Sequence, residues 1–193
     1  GDYATARTLF EECLAIRQQR DAKLEIPSAM QSLGDISFLQ GDDAQARAHY
    51  ENGLAFAKEM ELKPVMAYSL RMLGYLELRA GNTQRAEELF KESFQFNAER
   101  KLKIGMIRGL PTFAALALAR GQADRAAKLL GATEALLEPM HAHLEPIDDT
   151  EYKRNATAAR EQLDEATFNA AWAEGRAMTI EKAIAYAMGG TPA

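Results

Sequence analysis

Glycine returns every 40 residues without drift, at Gly1, Gly41, Gly81 and Gly121. Each opens a similar phrase: Gly1-Asp2-Tyr3, Gly41-Asp42-Asp43, Gly81-Asn82-Thr83 and Gly121-Gln122-Ala123. A fixed period of this length is the mark of a stacked array, in which each unit buries its apolar face against the next. Further columns keep the register. Ala6, Ala46, Ala86 and Ala126 are small, and Phe10, Tyr50, Phe90 and Leu130 are bulky. Leu14, Leu54 and Phe94 align, then Ile16, Phe56 and Phe96. In the second half of each unit Met30, Leu70 and Leu110 align, as do Leu33, Leu73 and Phe113, then Gly34, Gly74 and Ala114, then Ile36, Leu76 and Leu116.

Inside each unit the local period is helical. Ala6, Phe10, Cys13 and Leu14 stand at i, i+4, i+7 and i+8, one face of an α-helix. Two such stretches of roughly 16 to 18 residues fill a unit. Gly-Asp or Gly-Asn breaks one junction, and a charged stretch such as Asp21-Ala22-Lys23 or Glu61-Leu62-Lys63-Pro64 breaks the other. Gly41 and Gly81 suit a left-handed helix stop, and Asp42 and Asn82 suit the N-cap that follows. Ala at 46 and 86 and Gly at 34 and 74 let two helices approach, with the aromatic column filling the space beside them. The expectation is an all-α chain of about ten helices, with residues 1–137 stacked as antiparallel pairs.

The columns resemble the tetratricopeptide repeat, whose usual period is about 34 residues. Met30, Leu33-Gly34, Ala46, Tyr50 and Gly53 fall in its consensus places, and Leu70, Leu73-Gly74, Ala86, Phe90 and Ser93 repeat them. Leu110, Phe113-Ala114, Ala126, Leu130 and Thr133 form a looser third unit. The consensus aromatic of the first helix is replaced by Ser37 and Glu77, and the 40-residue period implies longer helices. The resemblance covers residues 1–137, with a half repeat at 1–20. It implies a right-handed superhelical solenoid of antiparallel helix pairs.

After Leu137 the register breaks, and Pro139, Pro146 and Asp148-Asp149 read as a loop. Three more amphipathic stretches follow. One carries Tyr152, Ala156, Ala159 and Leu163; one is capped by Asp164 and carries Phe168 and Trp172; one is capped by Thr179 and stops at Gly189-Gly190. A solenoid needs its end covered, so residues 138–193 are expected to be a helical cap with Trp172 as a buried anchor. This segment, from Ala126-Ala127-Lys128-Leu129-Leu130-Gly131-Ala132 through Ala171-Trp172-Ala173-Glu174-Gly175-Arg176-Ala177-Met178, resembles the end of the repeat region in large bacterial regulators. Those proteins combine a STAND-type nucleotide-binding domain with helical repeats, and many are LuxR-type transcription factors. The stretch Thr179-Ile180-Glu181-Lys182-Ala183-Ile184-Ala185-Tyr186-Ala187 is similar to the one preceding their DNA-binding domain. Neither a Walker A pattern nor a DNA-reading helix is present, so hydrolysis and operator binding are not carried over.

Composition excludes several classes. A net charge of −5 and a pI near 5.3 give no footprint for nucleic acid. A lone Cys13 allows no internal disulfide. No run of about 18 apolar residues is found, so no membrane span is expected. Gly1 opens the chain with no basic or apolar leader, which reads as a piece of a longer cytoplasmic polypeptide. His141 and His143 lack a third metal ligand at fixed spacing and read as a solvated loop, with His49 at a helix surface. Cys13 shares its column with Gly53 and Ser93 and reads as a small buried side chain. No nucleophile–base constellation assembles, so no enzyme, cofactor or metal is expected.

The inner groove carries the functional reading. The resemblance places Ser28, Gln31, Asp35, Phe38 and Leu39 on it in the first full unit, Tyr68, Arg71, Tyr75, Leu78 and Arg79 in the second, and Arg108, Pro111, Ala115, Leu118 and Ala119 in the third. Arg71, Arg79 and Arg108 would make a local positive patch beside Phe38, Tyr68 and Tyr75. The arginines either meet a ligand or pair with Glu77 or Asp35. Gln31 and Asp35 replace the Lys/Asn clamp of chaperone-binding repeats. The expected role, as the resemblance implies, is a sensor or protein-interaction domain of a bacterial transcriptional regulator or signal-transduction ATPase that works with other domains of its own chain; the alternatives are a free-standing repeat scaffold that binds a partner peptide, and a domain that senses a small-molecule effector.

Overall fold

The computed structural model describes residues 2–189. Ten α-helices follow in tandem among the described residues: α1 Tyr3–Gln19, α2 Ile26–Gln40, α3 Asp43–Glu59, α4 Lys63–Arg79, α5 Thr83–Glu99, α6 Lys103–Ala119, α7 Ala123–Leu137, α8 Pro146–Gln162, α9 Glu165–Arg176 and α10 Ile180–Ala187, with a 3-10 turn at Glu138–Met140. The all-helical expectation holds. Gly1 and Gly190, named as a repeat start and a helix stop, lie outside the described residues.

Both junctions of each unit end their helix in the same way. A left-handed residue stands one or two positions past the helix, and the next amide reaches back five residues to a helical carbonyl. These bonds run from Asp42, Asn82 and Gln122 to Ser37, Glu77 and Ala117, and from Ala22, Leu62 and Leu102 to Arg17, Ala57 and Asn97. Gly41, Gly81 and Gly121 supply the left-handed residue at one junction, with φ of 79°, 81° and 72°. At the other it is Asp21, Glu61 and Lys101, again 40 residues apart, with φ of 52°, 53° and 52°. A side chain in that region costs on the order of 1 kcal/mol, so the charged junctions carry strain that the glycine junctions avoid. Asp42 caps α3 by accepting from the Gln45 amide at 3.0 Å. Asn82 does not cap α5; its amide donates to Glu77 Oε2 at 2.7 Å. The buried Glu77, in the consensus aromatic place, competes for it.

The core is built on close approaches between helices. A Cβ at Gly34 would lie 2.6 Å from the Tyr50 ring, and one at Gly74 would lie 2.5 Å from the Phe90 ring. In the third unit the partners are Ala114 and Leu130, both fully buried. The added methyl and the smaller partner offset one another, so the same gap is filled. Ala46, Ala86 and Ala126 are each 0% exposed. Rings continue from unit to unit, Phe38–Tyr75 at 6.3 Å, Tyr75–Phe90 at 5.3 Å and Phe90–Phe113 at 6.5 Å between centroids.

Past α7 the chain folds back on the last helices of the array. α9 crosses α7, and α8 and α10 lie on both α6 and α7. Pro146, read as part of a loop, is in the first turn of α8, and Asp148 and Asp149 follow in that turn. Asp164 and Thr179 cap α9 and α10 as expected, through the Thr167 and Lys182 amides. Trp172 is half-buried rather than fully buried; it stacks on Phe168 at 5.3 Å and donates to Glu134 at 3.3 Å. At the α7–α9 crossing a Cβ on Gly131 would lie 2.5 Å from the Trp172 carbonyl oxygen, and one on Gly175 would lie 2.0 Å from the Lys128 carbonyl oxygen. Backbone cannot yield as a ring edge can. Gly175→Ala is therefore expected to cost more than Gly74→Ala, roughly 1–3 kcal/mol or above, despite the better helix propensity of alanine. Urea unfolding of the two variants checks the order; equal midpoints would contradict the crossing.

Candidate functional site

α2, α4 and α6 are the inner helices of three successive units, and between them and the start of α8 lies a cavity of about 520 Å³. Its walls include Ser28, Gln31, Ser32, Asp35 and Leu39 from α2, Tyr68 and Arg71 from α4, Arg108 from α6, and Glu145, Pro146 and Ile147 at the α8 end. Gln31, Asp35, Tyr68, Arg71 and Arg108 are thus brought together. Phe38 and Tyr75 are not: each is 1% exposed and belongs to the ring ladder of the core. Arg79 stands outside the cavity wall, its guanidinium 3.5 Å from the centroid of the Phe38 ring. Pro111 and Ala115 are buried on α6, the helix that α8 covers.

The polar groups of the wall are ordered by one another. Gln31 donates to the Val65 carbonyl at 2.8 Å and to Ser69 Oγ at 3.1 Å. Asp35 accepts from the Tyr50 hydroxyl on α3 and the Tyr68 hydroxyl on α4, each at 2.7 Å. Burial beside that carboxylate pushes both tyrosines above their ordinary range, so they remain protonated donors at neutral pH. Burial also lifts Asp35 itself to about 6, although the two hydroxyls and Arg71 favour its charged form. The Arg71 guanidinium lies 5.0 Å from the centroid of the Tyr68 ring.

The arginines are matched by acids from an unforeseen direction. Arg71 Nη2 is 2.9 Å from Asp148 Oδ2. Arg108 Nη1 is 2.8 Å from Glu145 Oε1, and its Nη2 donates to the His143 carbonyl at 2.7 Å. Arg79 meets Asp43 at 2.7 Å and Glu151 at 3.4 Å. Neither expected internal partner takes a groove arginine in an ion pair: Glu77 is held by Arg47 at 2.7 Å, and Asp35 by the tyrosines. Asp148 and Glu151 are 1% and 2% exposed, and burial pushes Asp148 upward. Glu145, the residue that precedes α8, and Asp148 and Glu151 in its first turns stand three residues apart, so the N-terminal end of α8 presents all three to the arginines. That spacing was the available signal. The apolar face of Tyr152, Ala156, Ala159 and Leu163 overlaps the buried side only in part: Ala159 is fully buried, and the other three are half-buried. The positive patch expected from the sequence is compensated in the fold.

The remaining candidates are scattered. His141 and His143 are exposed at the rim of a second cavity of about 330 Å³, with Glu134, Leu137 and Tyr152. His49 is half-buried, which lowers its pKa. Cys13 is half-buried rather than buried, because the face of α1 that carries Leu9 and Ile16 is uncovered. No helix among the described residues is long and apolar enough to cross a membrane.

Asp35 makes stability depend on pH in a defined direction. Its folded pKa is raised, so its contribution is complete below the unfolded value near 3.8 and is lost as pH rises through about 6. The charged or titratable groups facing it are Tyr50, Tyr68, Arg71 and Asp148. Between pH 5 and 7.5 the parent should lose about 1 kcal/mol more than Asp35→Asn, measured by urea unfolding at each pH. Parallel pH profiles would contradict the assignment.

Residues 25–99 match the family model described as Tetratricopeptide repeat. Over 63 residues, 33% of this chain, the sequence is 41% identical to a Putative HTH-type transcriptional regulator of Mycobacterium bovis (strain ATCC BAA-935 / AF2122/97). The same figures hold for proteins of that description in Mycobacterium tuberculosis strains CDC 1551 / Oshkosh and ATCC 25618 / H37Rv. The chain spans 7% of the length of these relatives. No solved structure gives a significant match. The repeat match runs from the residue before α2 to the end of α5, so the chain carries a tetratricopeptide-repeat region with a partial likeness to transcriptional regulators.

Proposed function

We propose that the chain is a non-catalytic recognition domain of a bacterial transcriptional regulator or signal-transduction ATPase of the STAND and LuxR-type kind, working in the cytoplasm. A partner occupies the concave groove, and residues 138–193 close the array. The observation that carries this reading is the convergence of Gln31, Asp35, Tyr68, Arg71 and Arg108, from three inner helices, on one cavity. Repeats build such a surface because each unit adds one inner helix to a shared wall. Binding there would shift the equilibrium of the larger protein by its differential affinity for two arrangements of the array. The likeness to transcriptional regulators supports the setting, and the fragment itself contacts neither nucleic acid nor membrane in this reading. A second reading, a small-molecule effector in the groove, is favoured by the cavity volume of about 520 Å³, inside the range of roughly 300–1,000 Å³ common to such sites.

A photo-crosslinking side chain placed at Ser32, on the cavity wall, is expected to capture a protein partner in cells. The same side chain at the exposed Glu92 of α5 should not. Adducts confined to Glu92 would move recognition to the outer helices. No adduct from Ser32, with a ligand-induced rise in thermal stability instead, would favour the effector reading.

A further inference from the structure

The buried side-chain polar atoms left without a hydrogen bond among the described residues are Arg71 Nε, Tyr75 Oη, Arg108 Nε, both Asp148 oxygens, Glu151 Oε2 and Asn155 Nδ2. All lie on α4, α6 or α8, at the seam where α8 meets the inner helices. A permanent helix contact normally satisfies such atoms, because each one left unpaired forfeits hydration without replacement. Here the Coulombic match is present while the hydrogen bonding is incomplete. Asp148 sits 2.9 Å from Arg71 without forming a directed hydrogen bond, Arg79 reaches Glu151 only at 3.4 Å, and the other Glu151 oxygen is 2.8 Å from Arg154 of its own helix. Buried ion pairs of this kind add little net stability, since desolvation offsets the attraction.

From this seam we infer that α8 is a displaceable occupant of the groove, holding the place of an acidic helix supplied by a partner protein. The inference rests on reading the groove as the recognition surface. The occupant itself defines the partner's chemistry. Glu145, Asp148 and Glu151 follow one another at three-residue steps and meet Arg108, Arg71 and Arg79 in turn. A competing segment therefore needs carboxylates at i, i+3 and i+6, the first just ahead of its helix as Glu145 is, with an apolar residue beside the central one, in the place of Ile147, which is 4% exposed. It gains where its longer or better-placed acids satisfy the guanidinium nitrogens that α8 leaves unpaired.

The chain geometry permits release. Glu145 and Leu163, the residues flanking α8, are both extended, with ψ of 152° and 151°. α9 is anchored on α7 by the close approaches at Gly131 and Gly175, so release of α8 gives up its own contacts there, Ala159 against Ala127, Phe168 and Ala171 and Tyr152 against Trp172, while the glycine crossing stays. With α8 seated, the groove binds a competitor only in the fraction of molecules where it is open, and the apparent affinity falls by that fraction.

The probe is a fluorescent synthetic peptide of residues 143–163, titrated by anisotropy into the full chain. The parent should bind it weakly. The Asp148→Asn, Glu151→Gln chain, whose internal occupant has lost two charges at constant shape, should bind it about tenfold more tightly or better. A peptide carrying those same two changes should not bind, and Arg71→Ala with Arg108→Ala in the Asp148→Asn, Glu151→Gln chain should abolish binding. Native-state hydrogen exchange of the parent gives a second reading that does not depend on variants: α8 amides should exchange at least about tenfold faster than those of α7. Equal protection of α8 and α7, or no gain in peptide affinity in a variant that keeps its helix content, overturns the inference. Either failure alongside persistent crosslinking from Ser32 leaves the groove as the recognition surface and removes only the displaceable helix. Binding of short dicarboxylates with no binding of the peptide would assign the arginines to a small anion instead and also overturn it.

Discussion

Tyr50 and Phe90 occupy the space that a side chain at Gly34 and Gly74 would fill, and this exchange of volume sets how deeply each helix pair closes. The rest of the array follows from that depth. Because the ring edge meets bare backbone, the outer helix comes close enough for Ala46 and Ala86 to be fully buried. The inner helices are then held in line, so residues of α2, α4 and α6 reach one cavity. Where glycine gives way to Ala114, the aromatic gives way to Leu130, and the spacing survives.

That dependence explains what could be read from the chain. Contacts between neighbouring units are short in sequence and repeat in every unit, so each leaves a column 40 residues long in period. Gly34 with Tyr50, and Gly74 with Phe90, were visible in this way before any coordinates. The left-handed positions of Asp21, Glu61 and Lys101 were only half visible, because nothing in a charged residue announces a positive φ. Assigning groove residues by repeat position was less successful at the aromatics. An inner helix has one face to the groove and another to the ring ladder, and Phe38 and Tyr75 fall on the second. Helical spacing alone does not separate faces that differ by one residue step.

α8 was illegible for a different reason. Its contacts with the inner helices occur once, span 37 residues for Glu145 with Arg108 and 72 for Glu151 with Arg79, and so repeat nowhere. Its buried face is polar: Asp148, Glu151 and Asn155 stand where a core helix would carry apolar groups. A hydrophobic-face argument therefore finds Ala159 but misses the acidic edge beside it. Only the complementary charges on α4 and α6 give that face a reason to be buried.

The consequence lies in how an acidic chain manages its arginines. In a protein of net charge −5, a cluster of guanidinium groups from successive units would attract any polyanion in its surroundings. Pairing Arg71, Arg79 and Arg108 with carboxylates of the same chain removes that indiscriminate attraction while keeping the arginines in place. A competitor must then match three charges at three-residue steps and offer an apolar contact as well, since a single anion would recover too little to replace α8. The unsatisfied atoms of the seam keep that threshold within reach of a good match. Selectivity here comes from what the groove already holds, as much as from what its walls attract.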